Sequence, residues 1–171
     1  MEDELSRVLN ALPALVWTAL LGGQIDFLNL CWRQYTGLSL EEACGRGWQA
    51  AIHPEDLPVL LGRWRSILAS GESGEMEARL QRFDGDYHWF HISASPLRNA
   101  AGSVVKWLGV GTDIDDRKKA EEALRSNERN LSLIINTIPT HIYVLNTEGS
   151  VQYVNQAVMD YTGLSLEDVK Q

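Results

Sequence analysis

The chain of 171 residues is 44% hydrophobic and 22% charged, which are the fractions of an ordinary globular protein and exclude wholesale disorder. Its 23 acidic and 15 basic residues leave a net charge of −8, which argues against a nucleic acid or an anionic membrane as the main partner, because both attract clustered Lys and Arg. Two cysteines, Cys31 and Cys44, are too few for a disulfide scaffold and predict a reduced, cytoplasmic setting.

The first third of the chain is predicted to contain one helix, a β-hairpin, and then several further helices. Apolar residues at helical spacing predict the first helix, and Gly22-Gly23 between two apolar runs predicts the hairpin. Ser39 followed by Glu42 is a capping box, which starts a short helix. In chain order, the pattern predicts a helix over 2–11, strands over 15–21 and 24–29, a helical turn over 31–36, a short helix from Ser39, and a long helix opened by His53 and Pro54.

Three strands follow the long helix. Met76, Ala78 and Leu80 alternate with charged and polar residues, which is the pattern of a half-buried strand. Asp84-Gly85 and residues 99–102 predict tight turns, which place strands over 87–97 and 104–114 next to their neighbours in antiparallel pairs. The expected fold class is α+β, with a five-stranded antiparallel sheet, short helices on one face, and a connecting helix after the last strand.

The aromatic residues of the late strands divide between the two faces of the predicted sheet. Phe90, Ile92 and Ala94 are assigned to the core together with Leu108 and Val110. Trp89 and Trp107 then lie on the outer face, where exposed tryptophans mark a contact surface. Trp48 and Trp64, which lie on or beside the predicted helices, are expected to face the core opposite the sheet. The predicted lining of any pocket is therefore Trp48, Trp64, Phe90, Ile92 and Leu108.

A charged stretch without glycine or proline follows the last strand. Its apolar positions alternate at spacings of four and three, which is a heptad seam with one polar member, Asn127. The seam residues are Ala120, Leu124, Asn127, Leu131, Ile134 and Ile138. The pattern predicts a dimerising coiled coil, and a solvated helix that only spaces two domains is the alternative.

The chain repeats itself at an offset of 126 residues. Residues 35–41, Tyr-Thr-Gly-Leu-Ser-Leu-Glu, recur letter for letter at 161–167. Seven consecutive identities in one fixed register indicate an internal repeat. The predicted organisation is a first domain over 1–114, a helical linker over 115–136, and the truncated start of a second domain over 137–171.

These motifs together resemble a PAS domain of the subfamily with a tryptophan-rich second half. The matching words are Tyr35-Thr-Gly-Leu-Ser-Leu-Glu-Glu42, Ile52-His-Pro-Glu-Asp-Leu57, Glu77-Ala-Arg-Leu80, Asp84-Gly-Asp-Tyr-His-Trp89, Ser95-Pro-Leu97 and Trp107-Leu-Gly-Val-Gly-Thr-Asp-Ile114. The stretch from Asp113 to Glu122 resembles the family's exit motif, a PAC-type Asp-Ile-Thr followed by a charged signalling helix. Asp115 stands where that motif has threonine.

The resemblance implies a non-catalytic sensory and dimerisation module of a larger bacterial signalling protein, such as a sensor histidine kinase. The expected partners are a second copy of the chain and neighbouring PAS and output domains. The signal would pass through Asp113, Arg117, Leu124, Asn127 and Leu131. The alternative is a receptor domain that binds a small ligand or cofactor and regulates a cyclic-dinucleotide enzyme.

No catalytic, metal or cofactor site is predicted. His53 reads as a structural helix opener, and His88 and His91 point to opposite faces of a strand, so they do not chelate one metal together. Haem is not expected because no other histidine lies on the long helix. Flavin photochemistry is not expected because neither cysteine lies in the family's Asn-Cys-Arg-Phe word.

Overall fold

A five-stranded antiparallel sheet in the order β2-β1-β5-β4-β3 forms the larger part of the protein. The computed structural model describes residues 2–165 and residue 168 and divides into two units, Met1–Lys118 and Lys119–Gln171. The elements of the first unit are α1 (Glu2–Ala11), β1 (Leu15–Ala19), β2 (Ile25–Leu28), α2 (Leu30–Thr36), α3 (Leu40–Ala43), a 3-10 helix (Gly47–Ala51), α4 (Leu57–Ser70), β3 (Gly74–Gln81), β4 (Tyr87–Arg98) and β5 (Val104–Asp113). Helix α5 (Asp115–Thr137) begins in this unit and continues into the second, which contains β6 (Tyr143–Leu145), β7 (Val151–Val154) and α6 (Gln156–Thr162). The predicted fold class is confirmed.

Local hydrogen bonds start and end the short helices. The Asn29 side chain accepts from the Trp32 N–H and caps α2, and Gly37 ends that helix at a φ of 75°. Ser39 and Glu42 form the predicted capping box around α3. These caps satisfy backbone groups that the first and last turns of a helix leave without partners.

The long helix begins later than predicted. His53 does not open it: the His53 carbonyl accepts from the N–H groups of Asp56 and Leu57, which closes a turn, and α4 starts at Leu57. The residue before a proline is held in an extended conformation, so His53 does not adopt helical geometry. Pro58, and not Pro54, occupies the first turn of α4.

The register between β4 and β5 corrects the predicted faces. Trp107 lies opposite Pro96 and Gly109 opposite Ala94, so Trp107 shares the inner face and is only 2% exposed. Leu108 lies opposite Ser95 on the outer face, and Val110 lies there too. The prediction misplaced these residues because a one-residue difference in register exchanges the two faces of a strand.

The hydrophobic core lies between the inner face of the sheet and helices α2 to α4. Its buried members include Leu15, Ile25, Leu28, Trp32, Leu60, Trp64, Ile67, Leu80, Phe90, Ile92, Ala94 and Trp107. Phe90, Ile92 and Ala94 occupy the face that the alternation of β4 predicts.

The second unit repeats the hydrogen bonds of the first at the offset of 126. Asn29 is fully buried, accepts from the Val16 N–H, and donates to the carbonyls of Leu9 and Ala14. The fully buried Asn155 makes the equivalent bonds to Ile142, Ile135 and Thr140. The internal repeat is therefore structural as well as sequential.

No helix within the described residues has the length and apolarity that crossing a bilayer requires.

Candidate functional site

A cavity of about 50 Å³ lies in the core of the first unit between the sheet and the helices. Strands β1 to β5 and helices α2 and α4 all contribute to it. Its lining residues are Leu15, Trp17, Ile25, Leu28, Trp32, Trp48, Ile52, Leu60, Trp64, Met76, Leu80, Ile92 and Gly111. All carry apolar or indole side chains except Gly111, so the wall offers hydrocarbon and aromatic contacts.

Tryptophan rings pack edge-on beside this cavity. The ring of Trp64 lies 5.3 Å from that of Trp17 and 5.7 Å from that of Trp107, both in T-shaped geometry. The Trp64 Nε1–H donates to the Gly23 carbonyl at 3.4 Å. Edge-to-face aromatic pairs contribute about 0.5–1.5 kcal/mol beyond their buried area, so this cluster holds one wall of the cavity in place.

The predicted pocket residues have different positions. Trp48, Trp64 and Ile92 line the cavity. Phe90 is buried in the core, where its ring packs on Tyr35 at 4.9 Å, and it is not a lining residue. Leu108 lies on the outer face, so its assignment to the pocket was wrong.

Sequence reasoning missed several lining residues, among them Trp17, Trp32, Met76 and Gly111. Alternation along the predicted strands identified Met76 as inward-facing. The cavity is formed by side chains from five strands and two helices. No pattern within one stretch of the sequence indicates that these side chains surround the same cavity.

The junction between β5 and α5 is held by two carboxylates. Asp113 Oδ1 accepts from the Asp115 N–H at 2.8 Å, and Asp113 Oδ2 lies 3.1 Å from His88 Nδ1. Asp115 is 7% exposed, and its Oδ1 accepts from the Trp89 N–H at 3.2 Å. The Ile114 N–H donates to the Trp89 carbonyl at 2.8 Å. Both backbone groups of Trp89 on β4 therefore bind the start of α5.

The first turn of α5 also contacts β3 through Glu77. Arg117 Nη2 lies 3.0 Å from Glu77 Oε1, and Lys118 Nζ lies 2.5 Å from Glu77 Oε2. The hydrogen bonds from Lys118 and Arg117 hold the pKa of Glu77 below its usual value. Lys118 Nζ also lies 5.0 Å from the centre of the Trp89 ring, within cation–π range.

Arg79 extends this junction to the turn before α4. Its guanidinium lies 5.3 Å from the centre of the Trp89 ring. It donates to Asp56 Oδ2 at 2.9 Å and to Asp56 Oδ1 at 2.7 Å, and it contacts Glu55 at 2.9 Å. The bidentate bond from Arg79 lowers the pKa of Asp56. Trp89 thus lies on the outer face, as predicted, within cation–π range of both Arg79 and Lys118.

Tyr35 on α2 is a further group near the junction. Its hydroxyl oxygen is buried and has no hydrogen-bond partner among the residues that the structure describes, and burial together with the Asp113 carboxylate raises the pKa of Tyr35. Tyr35 also accepts from the Phe83 N–H through its carbonyl at 2.8 Å. It connects α2 to the turn between β3 and β4.

The histidines and cysteines form no metal cluster within the described part of the chain. His88 and His91 fall on opposite faces of β4, since His88 lies opposite Leu80 and His91 opposite Glu77. Both cysteines are free and half-buried. Burial raises the pKa of the Cys44 thiol, which disfavours the reactive thiolate.

Comparison with known proteins defines the class of this fold. A family model described as PAS fold matches residues 25–111, and one described as PAS domain matches residues 129–171. The chain belongs to the PAS family and is a PAS sensor module.

Its relatives include signalling proteins. The chain is 35% identical over 170 residues to the peroxide stress-activated histidine kinase mak1 of Schizosaccharomyces pombe, a match to 95% of the chain and 10% of that protein. It is 35% identical over 155 residues to protein y4lL of Sinorhizobium fredii, with 91% of the chain and 19% of that protein covered. The chain thus spans about a fifth or less of these two relatives. A sensory box histidine kinase/response regulator structure from Burkholderia thailandensis shares the fold, with a TM-score of 0.55 at 24% identity over 77% of the chain and 98% of that structure.

Replacing Glu77 with glutamine should loosen the start of α5. The variant removes the charge that Arg117 and Lys118 share, and partly exposed ion pairs each contribute about 0.2–1 kcal/mol. Amide hydrogen exchange in the first turn of α5 should become about 3- to 5-fold faster at pH 7. Because the folded-state pKa of Glu77 lies below its ordinary 4.5, the ion pairs stabilise the wild type above that pH and are lost as pH falls through the folded-state value.

Glu75→Gln is the matched control, since Glu75 lies on the same outer face of β3 and its carboxylate lies 3.8 Å from His91 Nε2 on β4. It should leave exchange in the first turn of α5 unchanged. Equal acceleration in both variants would show that Glu77 does not hold the helix.

Proposed function

We propose that the chain is the sensory and dimerisation part of a larger signal-transduction protein, a sensor histidine kinase, and that it relays conformational change through α5. The similarity to mak1 supports the kinase assignment. In this proposal residues 1–114 are a PAS domain, residues 115–136 are the linker, and residues 137–171 begin a second PAS domain. ATP-dependent phosphoryl transfer then belongs to other parts of the parent protein.

The observation that carries the proposal is the exposed apolar seam of α5. In the single chain Leu124 is 62% exposed, Leu131 59% and Ile134 58%. Side chains of this kind each gain about 1.5–3 kcal/mol when they are fully buried. Helix α5 has 23 residues and ends at Thr137, which gives a length of about 34 Å at 1.5 Å per residue, so a paired helix would cover the seam from Ala120 to Ile134, and Ile138 lies beyond the helix.

A second copy of the chain is the occupant that fits this seam. The apolar positions recur at heptad spacing, and a heptad seam is self-complementary between two parallel copies. Asn127 interrupts the seam, and one polar seam residue favours a single register at some cost in stability. Homodimerisation therefore explains both the exposure and the spacing.

The relay begins at the last strand. A shift of β5 moves Asp113, which binds the backbone of Asp115 and lies against His88. Asp115 and Glu77 hold the first turn of α5 to β4 and β3. Breaking or remaking these bonds changes the rotation or register of the paired helices, which is an established type of switching transition. Each of these bonds contributes little free energy. The junction can therefore shift the balance between two arrangements of the paired helices when those arrangements have similar energies.

Replacing Leu131 with aspartate should weaken self-association of the chain about 100-fold or more. The change places a carboxylate from each copy in the seam without a partner, and 100-fold corresponds to about 2.7 kcal/mol. Analytical ultracentrifugation over a concentration series measures the dissociation constant.

Leu133→Asp is the matched control, because Leu133 lies on the same helix outside the seam and is 64% exposed. It should leave the dissociation constant within about threefold of wild type, with the tryptophan fluorescence of both variants unchanged. Dimers of Leu131→Asp as stable as the wild type would refute the seam.

A second candidate function is a receptor for a small ligand, and the apolar cavity of the first unit favours it. Gly111 and Ile92 line the cavity from β5 and β4, and Gly111 lies two residues before Asp113. A bound ligand would therefore act on the strand that leads into α5. The two candidates are compatible, because ligand binding would supply the event that the relay transmits.

A further inference from the structure

From the wall of the cavity we infer the chemical class of its ligand: a small, uncharged, apolar molecule of a few heavy atoms. This ligand class rests on the proposed receptor role of the cavity. It follows from the chemistry of the lining, from the volume, and from the backbone of β5 at Gly111.

The lining excludes a charged ligand. The thirteen lining residues, all within the described part of the chain, contain no ionisable side chain. The indole N–H of Trp64 already donates to the Gly23 carbonyl. A buried charge requires an opposite charge or several hydrogen bonds, and without them it costs many kcal/mol. A carboxylate, phosphate or ammonium group would meet no opposite charge on this wall.

The volume limits the size of the ligand. The cavity measures about 50 Å³, whereas an apolar cavity of roughly 150 Å³ accepts benzene. A xenon atom or a molecule of three or four carbon atoms fits the smaller space. A larger ring system would require the packed tryptophans to move. Small apolar molecules gain contact with such a wall and displace little ordered water.

Gly111 places the ligand against the moving strand. A Cβ built at Gly111 would lie 3.3 Å from Leu15 Cβ and 3.5 Å from Phe90 Cδ1, so alanine fits after a small adjustment of its neighbours. The same methyl group would take up part of the cavity. Since Gly111 pairs with Ile92 on β4 and Leu15 on β1, a ligand beside it contacts the three central strands together.

Xenon binding to the whole chain tests the ligand class. Xenon NMR should show saturable binding to the wild type, and binding should be at least 10-fold weaker in Gly111→Ala. Gly62→Ala is the matched control, because a Cβ at Gly62 on α4 meets nothing within 4 Å. Its xenon affinity should stay within twofold of wild type. Met76→Phe fills the cavity from β3 and replaces Gly111→Ala if circular dichroism shows that the latter is unfolded.

Cyclopropane and acetate separate the neutral from the charged class. Cyclopropane should change tryptophan fluorescence saturably and raise the melting temperature, and acetate at equal concentration should do neither. Absence of saturable xenon binding, unchanged binding in the cavity-filling variant, or equal binding of acetate would each overturn the inference. The seam experiment with Leu131→Asp is independent of all three outcomes, so a failed ligand class and a failed dimerisation proposal are distinguishable.

Discussion

Replacing Gly109 with alanine should destabilise the first unit by at least about 3 kcal/mol, which lowers its melting temperature by about 10 °C or more. A Cβ at this position would lie 1.9 Å from Trp17 Cε2 and 2.0 Å from Trp17 Cζ2. The Trp17 ring lies against the glycine and is packed edge-on against Trp64, so it cannot move away without displacing the aromatic cluster.

Tryptophan fluorescence during thermal or urea unfolding measures this effect in the intact chain. All six tryptophans lie between residues 17 and 107, so the signal reports the first unit alone. Gly62→Ala is again the control and should stabilise α4 by up to about 1 kcal/mol, because alanine has the higher helix propensity. A melting temperature of Gly109→Ala within 2 °C of wild type would contradict the packing of Trp17 on β5.

Replacing Asn29 with alanine should cost about 4 kcal/mol of stability in the first unit. The Asn29 side chain is fully buried and makes four hydrogen bonds to backbone groups. It connects α1, β1 and α2. Alanine leaves two N–H donors and two carbonyls without this partner, and each unsatisfied buried group costs about 1–3 kcal/mol.

Urea unfolding followed by tryptophan fluorescence measures the free energy of unfolding of the first unit. Gln34→Ala on α2 is the control, because Gln34 is exposed and lies in the first unit, and surface substitutions change stability by about 0.5 kcal/mol or less. If Asn29→Ala lost no more stability than the control, the buried network would not be what joins these three elements.

Much of the fold could be predicted from local sequence signals. The Gly22-Gly23 and Asp84-Gly85 turns, the Ser39 capping box, and the alternation of Ala78 and Leu80 each act through neighbours within a few residues. Such signals depend on local backbone conformation and on hydrogen bonds between residues close in the chain. They can therefore be interpreted without knowing the rest of the structure. The long helix was the exception at this level, since His53 and Pro54 were predicted to open it and Pro58 occupies its first turn.

The candidate site was predicted less completely. Trp48, Trp64 and Ile92 were assigned to the cavity from their inward-facing positions, but Trp17 and Gly111 were not. The cations around Trp89 were missed as well, because Arg79 and Lys118 are 39 positions apart in the chain and meet only when α5 begins beside β3.

The amino-acid sequence by itself determined the repeat, the order of helices and strands, the sheet type and the apolar seam of α5. Each of these follows from spacing along one stretch of chain. Only the tertiary structure decided that Trp107 faces inward and Leu108 outward, where the cavity lies, and that Glu77 binds the start of α5. The physical reason is that register, enclosed volume and long-range ion pairs arise from side chains of separate elements, and a shift of one residue between two strands reverses which side chains meet.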